Sequence, residues 1–119
     1  MAKVLVVDDD VTVREVLKVM LNGHVIMEAS NGNDAVKYFK IFKPDVILMD
    51  VMMPEMDGVE ATKKILELDP NAKVIAVTAF ASSKGDEMLG AGSIAVLEKP
   101  FTRRSINELI EKYVKPKKS

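Results

Sequence analysis

Five short apolar runs recur along the chain, and each is followed by a segment whose apolar residues return at helical spacing. The runs occupy residues 3–7, 24–28, 45–49, 73–77 and 94–98. Several of them are apolar at consecutive positions, which is typical of strands that are covered on both faces. The pattern therefore predicts a chain that alternates strands with helices.

This alternation also predicts the fold class. Strands and helices in regular succession, joined by right-handed crossovers, form α/β sandwiches around a parallel sheet. We expect a doubly wound, five-stranded parallel sheet in the order 2-1-3-4-5, which is a flavodoxin-like (βα)5 sandwich. That order places the first and third strands side by side. The 119 residues suffice for one domain, 1–119, with a buried core.

The helices differ in how clearly the sequence marks them. The second and third are predicted at residues 34–42 and 58–68. The fourth, within residues 82–90, is the weakest prediction, because each mid-helix glycine costs about 1 kcal/mol against alanine. We expect it to be short or mobile, since it contains Gly85 and Gly90. The first and last helices are marked by apolar stripes at Val13, Val16, Leu17, Met20 and Leu21, and at Ile106, Leu109, Ile110 and Tyr113.

Several polar residues are assigned structural roles. Thr12 and Glu15 match a capping box at the start of the first helix. Asp10 is expected to cap that helix rather than touch a metal, and Asp57 is expected to cap the third helix. His24, the single histidine, has no ligand-type neighbour in the sequence and is expected at the surface or a strand edge.

Composition excludes several classes of function. Apolar content of 48% and charged content of 29% are those of an ordinary globular domain, and a net charge of -1 gives no reason to expect nucleic acid or membrane as a partner. The chain has no cysteine, and no apolar stretch approaches the roughly 20 residues that span a bilayer. We expect a cytoplasmic protein.

Polar side chains stand where four of the five apolar runs end. Asp8 and Asp9 close the first run, Asp50 closes the third, Thr78 the fourth and Lys99 the fifth. Because parallel strands end at one edge of the sheet, we expect these five side chains to meet there. Each of them alone is more often structural, but the set as a whole is hard to dismiss as turn and cap residues.

The chemistry of this set indicates phosphoryl transfer. Three carboxylates in one pocket repel each other, and a hard divalent cation with oxygen ligands, Mg²⁺, relieves the repulsion. The Lys99 ammonium and the Thr78 hydroxyl would hold a phosphoryl group against this metal. Asp50 ends the central strand and is the expected nucleophile, which would give an acyl phosphate. A phosphatase with an aspartate nucleophile is the alternative, but Met52 stands where its general acid is needed.

At these residues the chain resembles the receiver domains of two-component response regulators, over nearly its whole length. The resemblance rests on five blocks in order: Val-Val-Asp8-Asp9, Pro44-Asp-Val-Ile-Leu-Met-Asp50, Met53-Pro54-Glu-Met-Asp57-Gly58, Val77-Thr78-Ala79 and Lys99-Pro100-Phe101. It implies a phospho-acceptor signalling domain, of the single-domain chemotaxis-like or phosphorelay type. A receiver that cannot be phosphorylated would require loss of a site residue, and none is lost.

The resemblance also implies a role for each site residue. Asp50 would be the phosphoacceptor. The carboxylates of Asp9 and Asp50 and the carbonyl of Met52 would bind Mg²⁺ directly, with Asp8 acting through water. Thr78 and Lys99 would grip the phosphoryl group, and Ala79 would be the small residue beside it. A cis Lys99–Pro100 bond is implied as well, and proline tolerates this isomer better than other residues do.

Partners follow from the same resemblance. A sensor histidine kinase or a phosphotransfer protein would supply the phosphoryl group, and the fourth helix, fifth strand and fifth helix would form the face that binds an effector protein. Such a domain is not an enzyme in the usual sense, because it catalyses only its own phosphorylation and dephosphorylation. The family's switch position, often aromatic, is Val96 here. Slow self-hydrolysis is expected, because Met52 and Phe80 are apolar where the family holds the attacking water.

Overall fold

The computed structural model describes residues 1–79 and 83–114. Strands and helices alternate throughout this part of the chain, as the hydrophobic pattern predicts. The strands are β1 (Lys3–Val7), β2 (Val25–Ala29), β3 (Val46–Asp50), β4 (Val74–Thr78) and β5 (Ala95–Glu98). The helices are α1 (Val11–Met20), α2 (Gly32–Phe42), α3 (Gly58–Leu68), α4 (Lys84–Ala91) and α5 (Arg103–Tyr113).

All five strands are parallel and form one sheet in the order β2-β1-β3-β4-β5. The predicted fold class and strand order are therefore confirmed. β1 and β3 are neighbours, and Val7 at the end of β1 pairs with Met49. The next residues in register are Asp8 and Asp50, so the topology alone brings these two carboxylates to the same point of the sheet edge.

The apolar side chains form one buried layer on each face of the sheet. One layer contains Met49, Ile65 and Met88 and lies beneath α2, α3 and α4. The other contains Leu17 and Ile106 and lies beneath α1 and α5. Because both faces are covered, the central strands β3 and β4 are buried along their whole length. No helix among the described residues has the length and hydropathy that crossing a membrane requires.

Helix starts show which capping predictions hold. Asp10 caps α1, because its Oδ1 accepts a hydrogen bond from the Thr12 N–H at 2.9 Å. Asp57 likewise caps α3 through the Glu60 N–H. The capping box expected at Thr12 and Glu15 is wrong, since Asp10 rather than Thr12 is the N-cap of α1 and the Glu15 carboxylate pairs with Lys18 on the same helix.

Other boundaries differ from the prediction by one or two residues. α2 begins at Gly32 rather than at residue 34, because the Asn31 side chain caps it by accepting from the Asp34 N–H. α4 runs from Lys84 and has only eight residues, so the expectation of a short helix is confirmed. Residue 82 lies outside the described part of the chain. His24 directly precedes β2 and is half-buried, and its Nδ1 accepts from the Ala2 N–H at 2.9 Å.

Candidate functional site

Three aspartates meet at the carboxyl edge of the sheet. Asp8 directly follows β1, and Asp50 is the last residue of β3. Both are buried, with exposed fractions of 2% and 7%, whereas Asp9 is exposed. One carboxylate oxygen of each residue lies within 4.8 Å of the others. Oxygen atoms at this spacing are donors that suit a hard divalent cation such as Mg²⁺.

The ammonium group of Lys99 lies against the two buried carboxylates. Its Nζ is 3.1 Å from Asp8 Oδ2 and 3.6 Å from Asp50 Oδ1. The backbone of Lys99 is fixed as well, because its N–H donates to the Thr78 carbonyl at 2.9 Å. The Lys99–Pro100 bond is cis, as the resemblance implied. A positive charge therefore stands beside Asp50 on the side of β5.

The charges of this cluster alter the acidity of its members. Burial, followed by the Asp8 carboxylate, raises the pKa of Asp50 to about 6, although Lys99 and the Val51 N–H oppose the shift. For Lys99, burial disfavours the ammonium form, but the carboxylates of Asp50 and Asp8 outweigh burial and raise its pKa. The site thus concentrates more negative charge than Lys99 alone neutralises, which favours a bound cation.

The side chain of Asp8 is held by two hydrogen bonds, whereas that of Asp9 faces solvent. Asp8 Oδ1 accepts from the Asp10 N–H at 2.9 Å, and its Oδ2 accepts from Lys99 Nζ. Asp9 follows as an exposed residue in the turn that leads to α1. The two neighbouring carboxylates therefore differ in freedom, the first being fixed inside the edge and the second facing outward.

Thr78 and Ala79 lie at the end of β4. Thr78 is its last residue and is 1% exposed, and its register partner is Glu98, the residue before Lys99. Ala79 follows and is exposed. The structure thus brings together Asp8, Asp9, Asp50, Thr78 and Lys99, as the strand order predicts. Phe80, expected where the family holds the water that attacks the phosphoryl group, lies outside the described residues.

The loop after β3 depends on a glycine whose role the sequence analysis missed. A methyl group on Gly58 would lie 2.1 Å from the Asp50 carbonyl oxygen and 2.9 Å from the Val51 Cα. The Gly58 N–H donates to the Val51 carbonyl at 2.8 Å, which closes the loop. Only glycine lets the start of α3 approach the backbone of the nucleophile strand this closely. Within this loop the side chain of Met52 is exposed.

A second residue missed from the sequence is Arg14 on α1. Its Nη1 donates to the Asp8 carbonyl at 2.6 Å, so a guanidinium touches the backbone of the acidic turn. The helical pattern places Arg14 on a polar position of α1, where an arginine is usually solvated. The one hint in the sequence is Glu28 near the end of β2, the carboxylate that binds this arginine.

Comparison with known proteins gives the same assignment as the site. The family model for the response regulator receiver domain matches residues 4–111. The chain is 38% identical over 117 residues to the chemotaxis protein CheY of Thermotoga maritima, covering 95% of this chain and 98% of that protein.

Two solved structures are similar over nearly the whole chain. The receiver domain of a Pseudomonas aeruginosa sensor histidine kinase, with a magnesium ion coordinated in its active-site cleft, has a TM-score of 0.91 and 29% identity, covering 97% of this chain and 98% of that one. A chain of the CheX–CheY–BeF3–Mg complex of Borrelia burgdorferi has a TM-score of 0.87 and 30% identity, covering 95% of this chain and 90% of that one.

Proposed function

Because the chain belongs to the response regulator receiver domain family, we propose that it takes a phosphoryl group from a histidine kinase or a phosphotransfer protein onto Asp50. The observation that carries this proposal is the buried Asp50 carboxylate with Lys99 Nζ at 3.6 Å and two further aspartates beside it. Receiver domains are signalling proteins, and we infer that this one catalyses only its own phosphorylation and dephosphorylation.

The residues around Asp50 suit an in-line transfer. An Asp50 oxygen attacks phosphorus, the bond from phosphorus to the donor nitrogen breaks, and that nitrogen keeps the electron pair. The nucleophile must be ionised, and a pKa of about 6 leaves it largely so at neutral pH. Negative charge spreads over the three equatorial oxygens during transfer. Lys99 would bind one of these oxygens and the Thr78 hydroxyl another, while small Ala79 leaves room beside them.

The acidic cluster is proposed to hold Mg²⁺. Asp9, Asp50 and the Met52 carbonyl would be direct ligands, and Asp8 would act through a bound water. The difference between the two neighbouring aspartates supports this division, because both oxygens of Asp8 already accept hydrogen bonds and Asp9 faces solvent. When bound, the metal would neutralise charge on the phosphoryl oxygens and offset the repulsion among the carboxylates.

The phosphodonor is proposed to dock beside α1. This helix begins at the site and exposes three valines, Val11, Val16 and Val19, with exposed fractions of 57%, 42% and 62%. A groove between α1 and the residues after β5 is lined by Val16, Met20, Lys99, Pro100 and Phe101. This apolar surface reaches the phosphoryl clamp, which we define as Thr78 and Lys99. A helical donor would bury area on it while presenting its histidine to the site.

The face for an effector protein is proposed at α4, β5 and α5. Val96 on β5 supplies no aromatic ring there, and it packs close to α4, since a methyl group on Gly85 would lie 3.2 Å from its Cγ1. We therefore infer that the signal leaves the site through α4 itself rather than through the rotation of a ring.

Incubation with acetyl phosphate and Mg²⁺, followed by intact mass measurement, tests the proposal. The wild type should gain one phosphoryl group, and Asp50→Asn should gain none while keeping its circular dichroism spectrum. Asp10→Asn is the matched control, since asparagine also caps helices and Asp10 is an acid of the same edge. Labelling of Asp50→Asn at the wild-type rate would contradict the assignment. Steady phosphate release without a mass gain would instead indicate a phosphatase.

A further inference from the structure

The backbone of Asp8 is fixed from two sides. Its N–H donates to the Ala29 carbonyl at 3.1 Å, which continues the pairing of β1 with β2. Its carbonyl accepts from Arg14 Nη1 at 2.6 Å. This carbonyl belongs to the peptide group that joins Asp8 to Asp9, so the guanidinium holds the plane from which Asp9 extends. The Asp9 side chain is exposed, and the position of its carboxylate depends on that plane.

Arg14 is itself held in place by a carboxylate from another element. Its Nε donates to Glu28 Oε1 at 3.0 Å, and Glu28 Oε2 lies 3.1 Å from Lys18 Nζ. The Arg14 side chain is mostly buried. Partial burial would by itself raise the pKa of Glu28, but Lys18 and Arg14 outweigh it and lower that pKa. The arginine therefore connects an ionised glutamate of β2 to the turn that carries Asp9.

We propose that Arg14 is a positioning residue for the metal site: by fixing the Asp8–Asp9 peptide it holds the Asp9 carboxylate where it can bind a divalent cation. The inference rests on the proposed function, in which Asp9 is a direct ligand. Groups that orient metal ligands without touching the metal commonly account for a 10- to 100-fold difference in affinity. Arg14 acts on the backbone carbonyl of Asp8, to which its Nη1 donates. Its Nε donates to Glu28 Oε1, which holds the guanidinium in place.

The sign of the effect separates positioning from plain electrostatics. The guanidinium is a positive charge near a cation site, so its charge alone opposes Mg²⁺ binding. If charge were its only influence, removing it would strengthen binding. If Arg14 only joined α1 to β2, its loss would lower the melting temperature and leave the affinity of the folded protein unchanged. Positioning alone predicts weaker binding when the charge is removed.

Magnesium titrations of the complete chain, followed by NMR amide shifts well below the melting temperature, test this inference. Arg14→Met should raise the Mg²⁺ Kd about tenfold. Arg14→Lys should raise it severalfold, because an ammonium keeps the charge but cannot reach both oxygens with a planar fork. Arg104→Met is the matched control. Arg104 forms the same kind of ion pair on the exposed face of α5, with its Nε 2.9 Å from Glu108 Oε1. The Mg²⁺ Kd of Arg104→Met should therefore equal the wild-type value.

The outcomes distinguish this inference from the function beneath it. Should Arg14→Met fail to fold, Arg14→Lys gives the answer. A Kd that is unchanged or lower in the folded Arg14 variants would overturn the positioning role and leave the proposed function intact. If Asp9→Ala has the same Mg²⁺ Kd as the wild type, the assignment of Asp9 as a metal ligand is overturned, and the positioning role with it.

Discussion

Helices α4 and α5 follow the two strands that carry the phosphoryl clamp, yet they are held very differently. α5 begins with a reciprocal cap, in which the Thr102 side chain accepts from the Ser105 N–H and the Ser105 hydroxyl oxygen accepts from the Thr102 N–H. At the corresponding place α4 has Ser83, whose side chain makes no cap bond. α5 has eleven residues and α4 only eight.

Side-chain hydrogen bonds to neighbouring helices differ in the same direction. Asn107 of α5 donates to the Met20 carbonyl at 3.0 Å, and Arg103 donates to the Val19 carbonyl at 3.3 Å, so two side chains tie α5 to α1. For α4 the corresponding contact is a weak one, from the Thr62 hydroxyl to the Met88 sulfur at 4.0 Å. Sulfur is a poor acceptor, so this bond contributes little.

The comparison shows that the two halves of the clamp have unequal freedom. Lys99 leads into the firmly held α5 and already contacts Asp8 and Asp50. Thr78 leads toward α4, which lacks a side-chain cap bond and has only a weak side-chain hydrogen bond to α3. A phosphoryl group on Asp50 would therefore find Lys99 in place, and the adjustment would fall on the side of Thr78.

The largest effect is expected where the clamp meets Asp50 itself. The pKa of this carboxyl is about 6 in the folded protein, whereas its ordinary value, which applies in the unfolded chain, is 3.8. The folded state therefore binds this proton more tightly than the unfolded chain does. Stability should therefore fall as pH rises from about 4 to about 6. In metal-free buffer at pH 7, Asp50→Asn should be more stable than wild type by on the order of 1 to 2 kcal/mol, after allowance for solvent screening at the open edge.

Urea unfolding with EDTA at pH 4 and at pH 7 measures this difference. The gain of Asp50→Asn should be present at pH 7 and nearly absent at pH 4, while Lys99 keeps its contact with Asp8. Glu111→Gln, an exposed change on α5, is the matched control. Equal gains at both pH values would show that the buried charge of Asp50 is not the cause.

The second prediction concerns movement on activation. Binding of beryllofluoride and Mg²⁺ should change amide hydrogen exchange mainly in residues 79–92, of which 80–82 lie outside the described part of the chain. A change of about tenfold, near 1.4 kcal/mol, is expected for the amides of α4, whereas those of α5 should keep their rates. Equal changes in both helices, or changes confined to α2, would remove the distinction between a fixed and an adjustable side.

The third prediction compares the two helix starts directly. Thr102→Ala removes a cap bond from α5 and should lower the free energy of unfolding by about 1 kcal/mol. Ser83→Ala at the start of α4 removes no cap bond, so its effect should stay within about 0.5 kcal/mol. Thermal or urea unfolding of the pair gives the result. A loss at Ser83 as large as that at Thr102 would mean that α4 is capped after all.

The helix starts also show how far the sequence predicts this molecule. Hydrophobic runs place every strand within one residue, because burial on both faces leaves a strong apolar signal. The strand order follows from the doubly wound fold class that the alternation of strands and helices indicates. Caps are harder, since several polar residues compete for the same free N–H groups. On α1 the cap is Asp10 and not Thr12. The capping box of α5 lacks the usual glutamate or glutamine at the third helical position, which is Ser105, so the standard sequence pattern does not predict it.

The candidate site divides in the same way. The five polar side chains that end strands were predictable, because parallel strands bring them to one edge whatever the details of packing. Arg14 and Gly58 were not, since their roles come from backbone groups that approach them only in the folded chain. Sequence patterns describe which side chains a strand presents, but they do not describe which carbonyl a neighbouring helix reaches.

The smallest effect is expected from two glycine substitutions within α4. A methyl group on Gly90 would meet no atom within 4 Å, so Gly90→Ala should raise the free energy of unfolding by about 0.5 to 1 kcal/mol through helix propensity alone. On Gly85 the same methyl would lie 3.2 Å from Val96 Cγ1 and 3.3 Å from its Cγ2. Val96 would have to shift, so Gly85→Ala should gain less than Gly90→Ala or lose stability.

Function provides the sharper test of this pair. If the looseness of α4 allows the response to phosphorylation, Gly90→Ala should diminish the exchange change that beryllofluoride causes in residues 84–91 while leaving labelling of Asp50 at the wild-type rate. Gly85→Ala should alter the response differently, because it changes the contact between α4 and β5 as well as the helix. Unfolding curves and hydrogen exchange on both variants decide the matter. Equal stabilisation with an undiminished response in both would show that glycine content does not set the freedom of α4.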